Sequence, residues 1–570
     1  MKNYKDARKK IASWIKVNHE QLDYVLYRKK VENLYECFKI PKKNGEYRVI
    51  YAPQGELKVL QRRLSQRLYE VHSNYIGQKK IKSSISHGFE QAKSKITDGF
   101  EQKKSIITNA YRHKNKKYLL NMDISNFFPS FHFGRVQGFF YKSKEFNFSK
   151  EEATIIAQLV CYNGSLPQGA PTSPIISNLI FNIVDLRILS LAKKYKLHYT
   201  RYADDLSFST NHKSFKDEYS NFIQELTELL NQNGFDVNQD KTRLEYYFSR
   251  QEVTGLSVNK KINAKYNFIN TTRAMADQLY RTNQFYINGE TGSLEQLEGR
   301  FSFINQLDWF NNNVEFKVKK NKHNKRYNFG FNTREKQYQY FLFYKYFFKP
   351  HKATIVTEGK TDILHLKAAL MKYSDRYPNL IIKKDDGTYE FKIYFLNKTK
   401  RLEYFLGISI DGADTMKNIW NFYKGMGGCF NIFDYLSEKN KEMALSNINP
   451  VILLFDNEQN KNRPLKKFLN YTNINLEKGQ ICQKLYSNLY LQIIPLINKL
   501  KMCEIEDLYL EKTLNLIIKG KKFSRDENLD TNKYYGKGVF SKYIIEHYNE
   551  IDFSNFIKLL DSIDCICRDH

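Results

Sequence analysis

The chain has 570 residues, too many for one hydrophobic core, because single cores stop growing at roughly 250–300 residues; two or three domains are expected. A formal net charge of +30 and a pI near 9.4 make a polyanion the favoured partner, since Lys and Arg gain affinity by displacing counterions from phosphate. No run of about 18 uninterrupted apolar residues occurs, and Met1-Lys-Asn-Tyr-Lys-Asp6 lacks the apolar segment of an export signal, so the expectation is a cytoplasmic protein with no membrane partner. The 7 cysteines are scattered and odd in number, which argues for reduced thiols rather than a disulfide framework.

In chain order, residues 1–40 read as amphipathic helix. Ile40 to Pro53 reads as a hairpin around Asn44-Gly45, carrying Arg48, and Leu57 to Tyr75 returns to helical periodicity. Gly88-Phe-Glu-Gln91 recurs as Gly99-Phe-Glu-Gln102; two copies cannot build a solenoid, so a local duplication enlarging one loop is expected. Asn109-Ala-Tyr-Arg-His113 is, on its residues alone, a polar cluster. Tyr118 to Asp123 is an apolar strand ending in an acid, with Phe128 shortly after it. Leu166 to Pro174 collects turn formers and small residues, and Gly169, lacking a Cβ, would let a template or nucleotide approach the backbone.

The runs His198–Arg201 and Leu206–Thr210 alternate as strands, joined by a turn that presents Asp204 and Asp205. A metal pair needs acids from more than one strand, and Asp123 supplies the companion. Two Mg²⁺ ions roughly 4 Å apart, held by carboxylate oxygens, are the usual means of activating a hydroxyl and stabilising a leaving phosphate. Gly234 to Lys241 adds a turn and a lysine near a presumed triphosphate. Residues 311–326 are polar and basic, as a linker or a nucleic-acid-facing loop would be. Tyr338 to Lys349 reads as a buried aromatic helix with a lysine edge, and strand–turn–helix units follow Pro350.

Asp123, the Leu166–Pro174 loop, Tyr202 to Asp205, Asn238 with Lys241, and Val253-Thr254-Gly255 resemble, in order, the motifs of reverse transcriptases; Asn109 to His113 and Val253 to Gly255 are similar to elements of retron reverse transcriptases. The resemblance covers about residues 35–260. It implies an α+β right-hand polymerase, with fingers and palm over 1–255 and thumb and linker over 256–345. Asp123, Asp204 and Asp205 would hold Mg²⁺. Arg48, Phe128, Gln168, Gly169 and Lys241 would surround the dNTP, with the Phe128 ring excluding a 2′-hydroxyl unless it is simply a core residue. Asn109, His113, Val253, Thr254 and Gly255 would contact a structured non-coding RNA that serves as template and primer and ends as an RNA-linked DNA. Lys103 and Lys104 stand where relatives often carry arginine, keeping the charge but losing the planar fork.

The last part, 346–570, has a second acidic pattern. Ala353 to Glu358 is a strand ending in an acid, Gly359 a turn, and Lys360 to Leu370 a helix with Asp362 on its first turn. Gly359-Lys360-Thr361 imitates an ATP-binding phosphate loop, but Thr354 stands where that loop needs glycine. Val451 to Phe455 is a buried-type strand running into Asp456-Asn457-Glu458. This half resembles the α/β Toprim domain of nucleases of the overcoming-lysogenization-defect type. The resemblance implies a second Mg²⁺ site of Glu358, Asp362, Asp456 and Glu458, with Lys537 as a catalytic cation, and Glu458 replaces the second Asp of the usual Asp-x-Asp. It further implies a nuclease effector in defence against phage, with a homo-oligomer left open. A noncatalytic oligomerisation or nucleic-acid-docking module is the rival reading, and a group II intron maturase a weaker one. For Cys565, Cys567 and His570 a frayed tail is expected rather than a zinc site.

Overall fold

The computed structural model describes residues 2–41, 45–79, 85–88, 104–312, 330–409, 415–440, 448–458, 460, 462–497, 500–526 and 530–568. The duplicated segment (89–103), Asn44, Lys103, His570 and most of the basic 311–326 stretch lie outside the described residues. The chain divides into two units, Met1–Lys265 and Tyr266–His570.

In the first unit, β1 (Tyr35–Pro41) and β2 (Tyr47–Pro53) form the expected hairpin. The helix expected over 1–40 is broken rather than continuous: Lys2–Trp14 ends before Lys16, whose φ is +58°, helical turns resume from His19 to Leu34, and β1 takes over at Tyr35. The centre of the unit is a four-stranded antiparallel sheet in the order β4-β5-β3-β6, made of β3 (Tyr118–Ser125), β4 (His198–Tyr202), β5 (Asp205–Thr210) and β6 (Asp236–Tyr246). Leu120, Met122 and Ile124 alternate along β3 into the core, the period of a strand with one face on a core. Across that face lies the helix Ser173–Lys194, apolar on all sides. Long and apolar enough to cross a membrane, it is 56% buried over that stretch inside the protein, as an all-round hydrophobic helix in a core must be. A short hairpin of β7 (Glu252–Val253) and β8 (Leu256–Ser257) closes the unit.

The second unit begins with the helices Tyr266–Thr282 and Leu294–Phe310, separated by a small hairpin of β9 (Tyr286–Ile287) and β10 (Glu290–Thr291). Its sheet has the order β14-β11-β15-β17-β16, from β11 (Thr354–Thr357), β14 (Tyr394–Phe395), β15 (Val451–Phe455), β16 (Cys482–Tyr486) and β17 (Leu489–Ile493), parallel except for β16; β12 (Ile381–Lys383) and β13 (Tyr389–Phe391) form a separate hairpin. Helices cover both faces, giving a three-layer α/β arrangement.

The segment read as thumb and linker shares its core with this sheet. Leu279, Phe301, Phe341, Phe405 and Leu453 belong to one cluster. The reason is the helix Thr333–Phe343 and its continuation to Phe348: Tyr338, Phe341, Leu342, Tyr344 and Phe347 ring it with apolar surface, which has to be covered on more than one side. Glu298, which also holds the buried Lys345, pairs with Arg401 at 2.9 Å and ties the two parts again. As far as Arg568 the tail is not frayed. Ile557–Arg568 is a helix whose Leu559, Leu560, Ile563 and Ile566 are buried at helical spacing, which leaves Cys565 exposed and Cys567 half-buried.

Candidate functional sites at two sheet ends

The first site is set by strand register. Asp123 on β3 is paired with Asp205 on β5 and, on its other side, with Asn238 on β6. The β4–β5 hairpin closes in the two-residue turn Ala203-Asp204, with Ala203 at φ +56°, the left-handed backbone that such tight turns demand. The Ile124 amide donates to the Asp204 carbonyl (3.1 Å), so all three acids sit at one sheet end. Lys241 Nζ donates to Asp123 Oδ2 at 2.9 Å. Burial, then the Asp123 charge, raises the Asp204 carboxyl; burial, then Asp204 and Asp123, pushes Asp205 up to about 6. Desolvated like charges are relieved by a proton or a cation, and hard carboxylate oxygens are the donors Mg²⁺ takes; the donor chemistry fits. Among the described residues no three His, Cys, Asp or Glu are grouped as they would be around a metal ion, and Lys241 holds one Asp123 oxygen.

A fully buried ion pair stands behind the turn, and sequence reasoning missed it. Arg201 donates to both oxygens of Asp185 (2.8–3.2 Å), to Asn178 Oδ1 (3.1 Å) and to the Ala203 carbonyl (3.0 Å). The only signal available was an arginine inside a strand otherwise patterned for burial. Gly88 lies so close that a Cβ would come within 2.7 Å of the Ala203 nitrogen.

The other expected site residues scatter. Arg48 is exposed on β2, and its charge reaches Asp204 as a minor lowering influence. Phe128 is half-buried, edge-on to the buried Phe127 at 5.5 Å. Gln168 is half-buried and Gly169 exposed; the Gln168 carbonyl accepts from the Tyr51 amide (2.8 Å), and at Gly169 (φ +121°) a Cβ would lie 2.7 Å from the Tyr51 oxygen. The close approach that demands glycine is therefore made by the β2 backbone. Asn109 and His113 are corrected, being 0% exposed and out of reach of an RNA. Thr200 Oγ1 donates to Asn109 Oδ1 (2.5 Å), which leaves His113 Nε2–H to donate to Thr200 (2.7 Å) and Ser209 to donate to His113 Nδ1 (2.8 Å). Burial holds this imidazole neutral, its pKa lowered to about 3. Val253 is buried too. Thr254 and Gly255, both at positive φ, form the β7–β8 turn and line a cleft of about 270 Å³ with Asn121, Asp205 and Arg243.

The second site lies where parallel strands end. β11 and β15 are neighbours, with Thr357 opposite Leu454, so Glu358 and Asp456 leave the sheet side by side, and the Asp456 amide donates to Glu358 Oε1 (3.1 Å). Asp362 accepts from the Gly359 amide (2.8 Å). Burial pushes Glu358 up to about 7, helped by Asp362 and Glu458; burial and then Glu358 raise Asp456 well above its usual range. Glu458 faces Arg463 at 3.2 Å. Lys537, at the start of the helix Lys537–Glu546, donates to Glu504 (2.9 Å) and Glu506 (3.2 Å); burial opposes its charge, but these two acids outweigh it and hold it cationic. Glu358, Asp362, Asp456, Glu458, Glu504 and Lys537 line a cleft of about 300 Å³. Glu504 is an addition that the sequence pattern did not single out, because it precedes the short Ile505–Leu508 turn rather than ending a strand.

Residues 40–270 match the reverse transcriptase (RNA-dependent DNA polymerase) family. The relatives include the retron Mx162 reverse transcriptase of Myxococcus xanthus, 30% identical over 53% of this chain and 64% of that one, and the retron Mx65 reverse transcriptase of the same organism, 30% identical over 44% and 56%. The retron Ec86 reverse transcriptase of Escherichia coli is 28% identical over 48% of this chain and 77% of that one. The chain thus spans about 56–64% of the length of the two Myxococcus relatives. Family match and relatives support a retron-type reverse transcriptase domain in the first half of the chain.

Proposed function

We propose that the first unit is an RNA-directed DNA polymerase of the retron type. Its template and primer would be a structured non-coding RNA, and its product a DNA linked to that RNA. The observation that carries this is the meeting of Asp123, Asp204 and Asp205 at one sheet end inside the family match. In a two-metal polymerase site, Mg²⁺ lowers the pKa of the primer hydroxyl and neutralises the triphosphate. Asp123, Asp204 and Asp205 would hold it, and Lys241 would offset charge beside Asp123. Phe128, half-buried against the edge of the core, would face the sugar of an incoming dNTP. Purified protein should extend a primer on an RNA template with Mg²⁺, and Asp205→Ala should not; equal extension by the two would refute the assignment.

For the second unit we propose a Mg²⁺-dependent nuclease of the Toprim type, acting as a defence effector that the RNA–DNA product restrains in the cytoplasm. Support comes from Glu358 and Asp456 on adjacent parallel strands, with Asp362, Glu458, Glu504 and Lys537 around one cleft. Lys537 would balance charge on a scissile phosphate. Cleavage of nucleic acid by product-free protein with Mg²⁺ or Mn²⁺, lost in Glu358→Gln, is the test.

A further inference from the structure

The polar cluster Asn109–His113 is buried, but the residues around it are not. Arg112 and Lys117 are exposed and Lys116 half-buried on the loop that leaves His113. This loop is bound to two others. The Tyr247 amide donates to the Lys117 carbonyl (2.9 Å), and the Asn115 amide to the Val258 carbonyl (3.1 Å). Asn259 Nδ2 donates to the carbonyls of Tyr247 (3.1 Å) and Ser249 (2.7 Å), and its Oδ1 accepts from the Gln251 amide (3.0 Å). The three loops therefore make one rigid surface.

On that surface stand two large rings that a soluble core would normally claim: Tyr247 is 65% exposed and Phe248 76%. Phe248 stacks on Tyr246 at 5.4 Å and 13°, and Tyr246 is braced edge-on by Tyr118, so one face of the Phe248 ring is backed by protein, Tyr247 meets it edge-on at 5.6 Å, and most of the ring still stands in solvent. Arg112, Lys116, Lys117, Lys260 and Lys261 lie on the same loops, and none of them makes an ion pair among the described residues. Arg250, by contrast, is paired with Glu252.

We propose that this surface is a docking platform for unpaired nucleotides of RNA. Fixed aromatic faces stack on bases of any identity, and unpaired cations follow the phosphates between them. A duplex hides its base faces and could use only the cations. The register places the platform away from the acids: β6 pairs Asn238 with Asp123 at one end of β3 and Tyr246 with Tyr118 at the other. It would therefore hold a strand outside the acidic site, as an RNA that must remain attached during its own copying requires. This assignment rests on the polymerase reading for its biological sense, but not for the binding itself.

The test uses full-length protein, a fluorescein-labelled 20-nucleotide single-stranded RNA and an RNA duplex of the same length. Tyr247→Ser with Phe248→Ser, both on exposed side chains, should weaken single-strand binding at least about tenfold, since each stacked base contributes that order of affinity. Duplex binding, melting temperature and extension of an annealed DNA primer should stay unchanged. Lys116→Gln with Lys117→Gln should weaken both ligands and flatten the salt dependence of single-strand binding by about 1.4 units. Unchanged single-strand affinity in the aromatic double variant overturns the proposal. So does equal loss on single strand and duplex, or dispersal of a wild-type dimer by the substitution, which would make the patch a self-association surface. Single-strand binding with the expected pattern in a protein that extends no primer would leave the platform standing and refute the polymerase reading alone.

Discussion

The two acidic sites solve the same electrostatic problem with opposite sheet topologies. In the first unit an antiparallel register brings Asp123 and Asp205 face to face, and a tight turn adds Asp204. In the second, neighbouring parallel strands release Glu358 and Asp456 at the same edge, and the following helix adds Asp362. Each arrangement crowds carboxylates together, and the carboxyl pKa values of Asp204 and Asp205 in the first and of Glu358 and Asp456 in the second rise. They differ in the balancing lysine. Lys241 sits directly on Asp123, whereas Lys537 is held by the flanking Glu504 and Glu506 and so stays beside the acids rather than on one of them. The lesson is that a strand end, not a strand direction, is what concentrates charge.

The largest expected effects test whether the sites are independent. Asp205→Ala should lower DNA synthesis on an RNA template by several orders of magnitude, because the proposed metal clamp loses a ligand, and should not abolish the proposed cleavage by the second unit, which without its restraining product should be released. Glu358→Gln keeps the shape and removes a charge; the proposed nuclease activity should vanish while reverse transcription continues. Loss of both activities in either variant would break the comparison.

Next in size is the buried ion pair that only the first site has behind its turn. Arg201→Met leaves Asp185 charged and unpaired in a region that excludes water, which costs about 3–5 kcal/mol. Urea denaturation should show that loss. Lys537→Met should cost clearly less, because its side chain keeps solvent contact.

The smallest effect compares two buried imidazoles, His113 in the first unit and His365 in the second. Burial lowers both to about 3. Since the folded values lie below the ordinary 6.5, each ring contributes stability above pH 6.5 and loses it as the pH falls toward 3, at about 1.4 kcal/mol per pH unit for each proton. Replacing either with Gln should flatten the acid limb of the stability–pH curve by one proton. His113 has partners on both ring nitrogens, whereas His365 bonds Tyr509 through Nδ1 alone and its Nε2 has no partner. Substitution by Leu at neutral pH should therefore cost more at 113 than at 365.

Much of this was legible from strand patterns. Apolar runs that stop at an acid, such as Tyr118–Asp123 and Val451–Asp456, announce both where a strand is buried and where its charge emerges. What the pattern could not say is which polar residues turn inward. Asn109, His113, Thr200 and Ser209 hydrogen-bond one another across α-helix and sheet, and no local signal separates such a network from a binding surface. Gly169 advertised a close approach but not its source, which proved to be the Tyr51 backbone.

By itself, then, the sequence determined the polyanion-seeking charge, the strands and the acids at their ends, because these follow from composition and from a two-residue period. It took the tertiary structure to show that the helices Tyr266–Thr282, Leu294–Phe310 and Thr333–Phe343 share a core with the second sheet, that Arg201 and Asp185 back the acidic turn, and that Tyr247 and Phe248 stand in solvent. Those outcomes depend on which surfaces meet, and a helix that is apolar all round, or an aromatic pair after a strand, carries no record of its neighbour until packing supplies one or leaves it out.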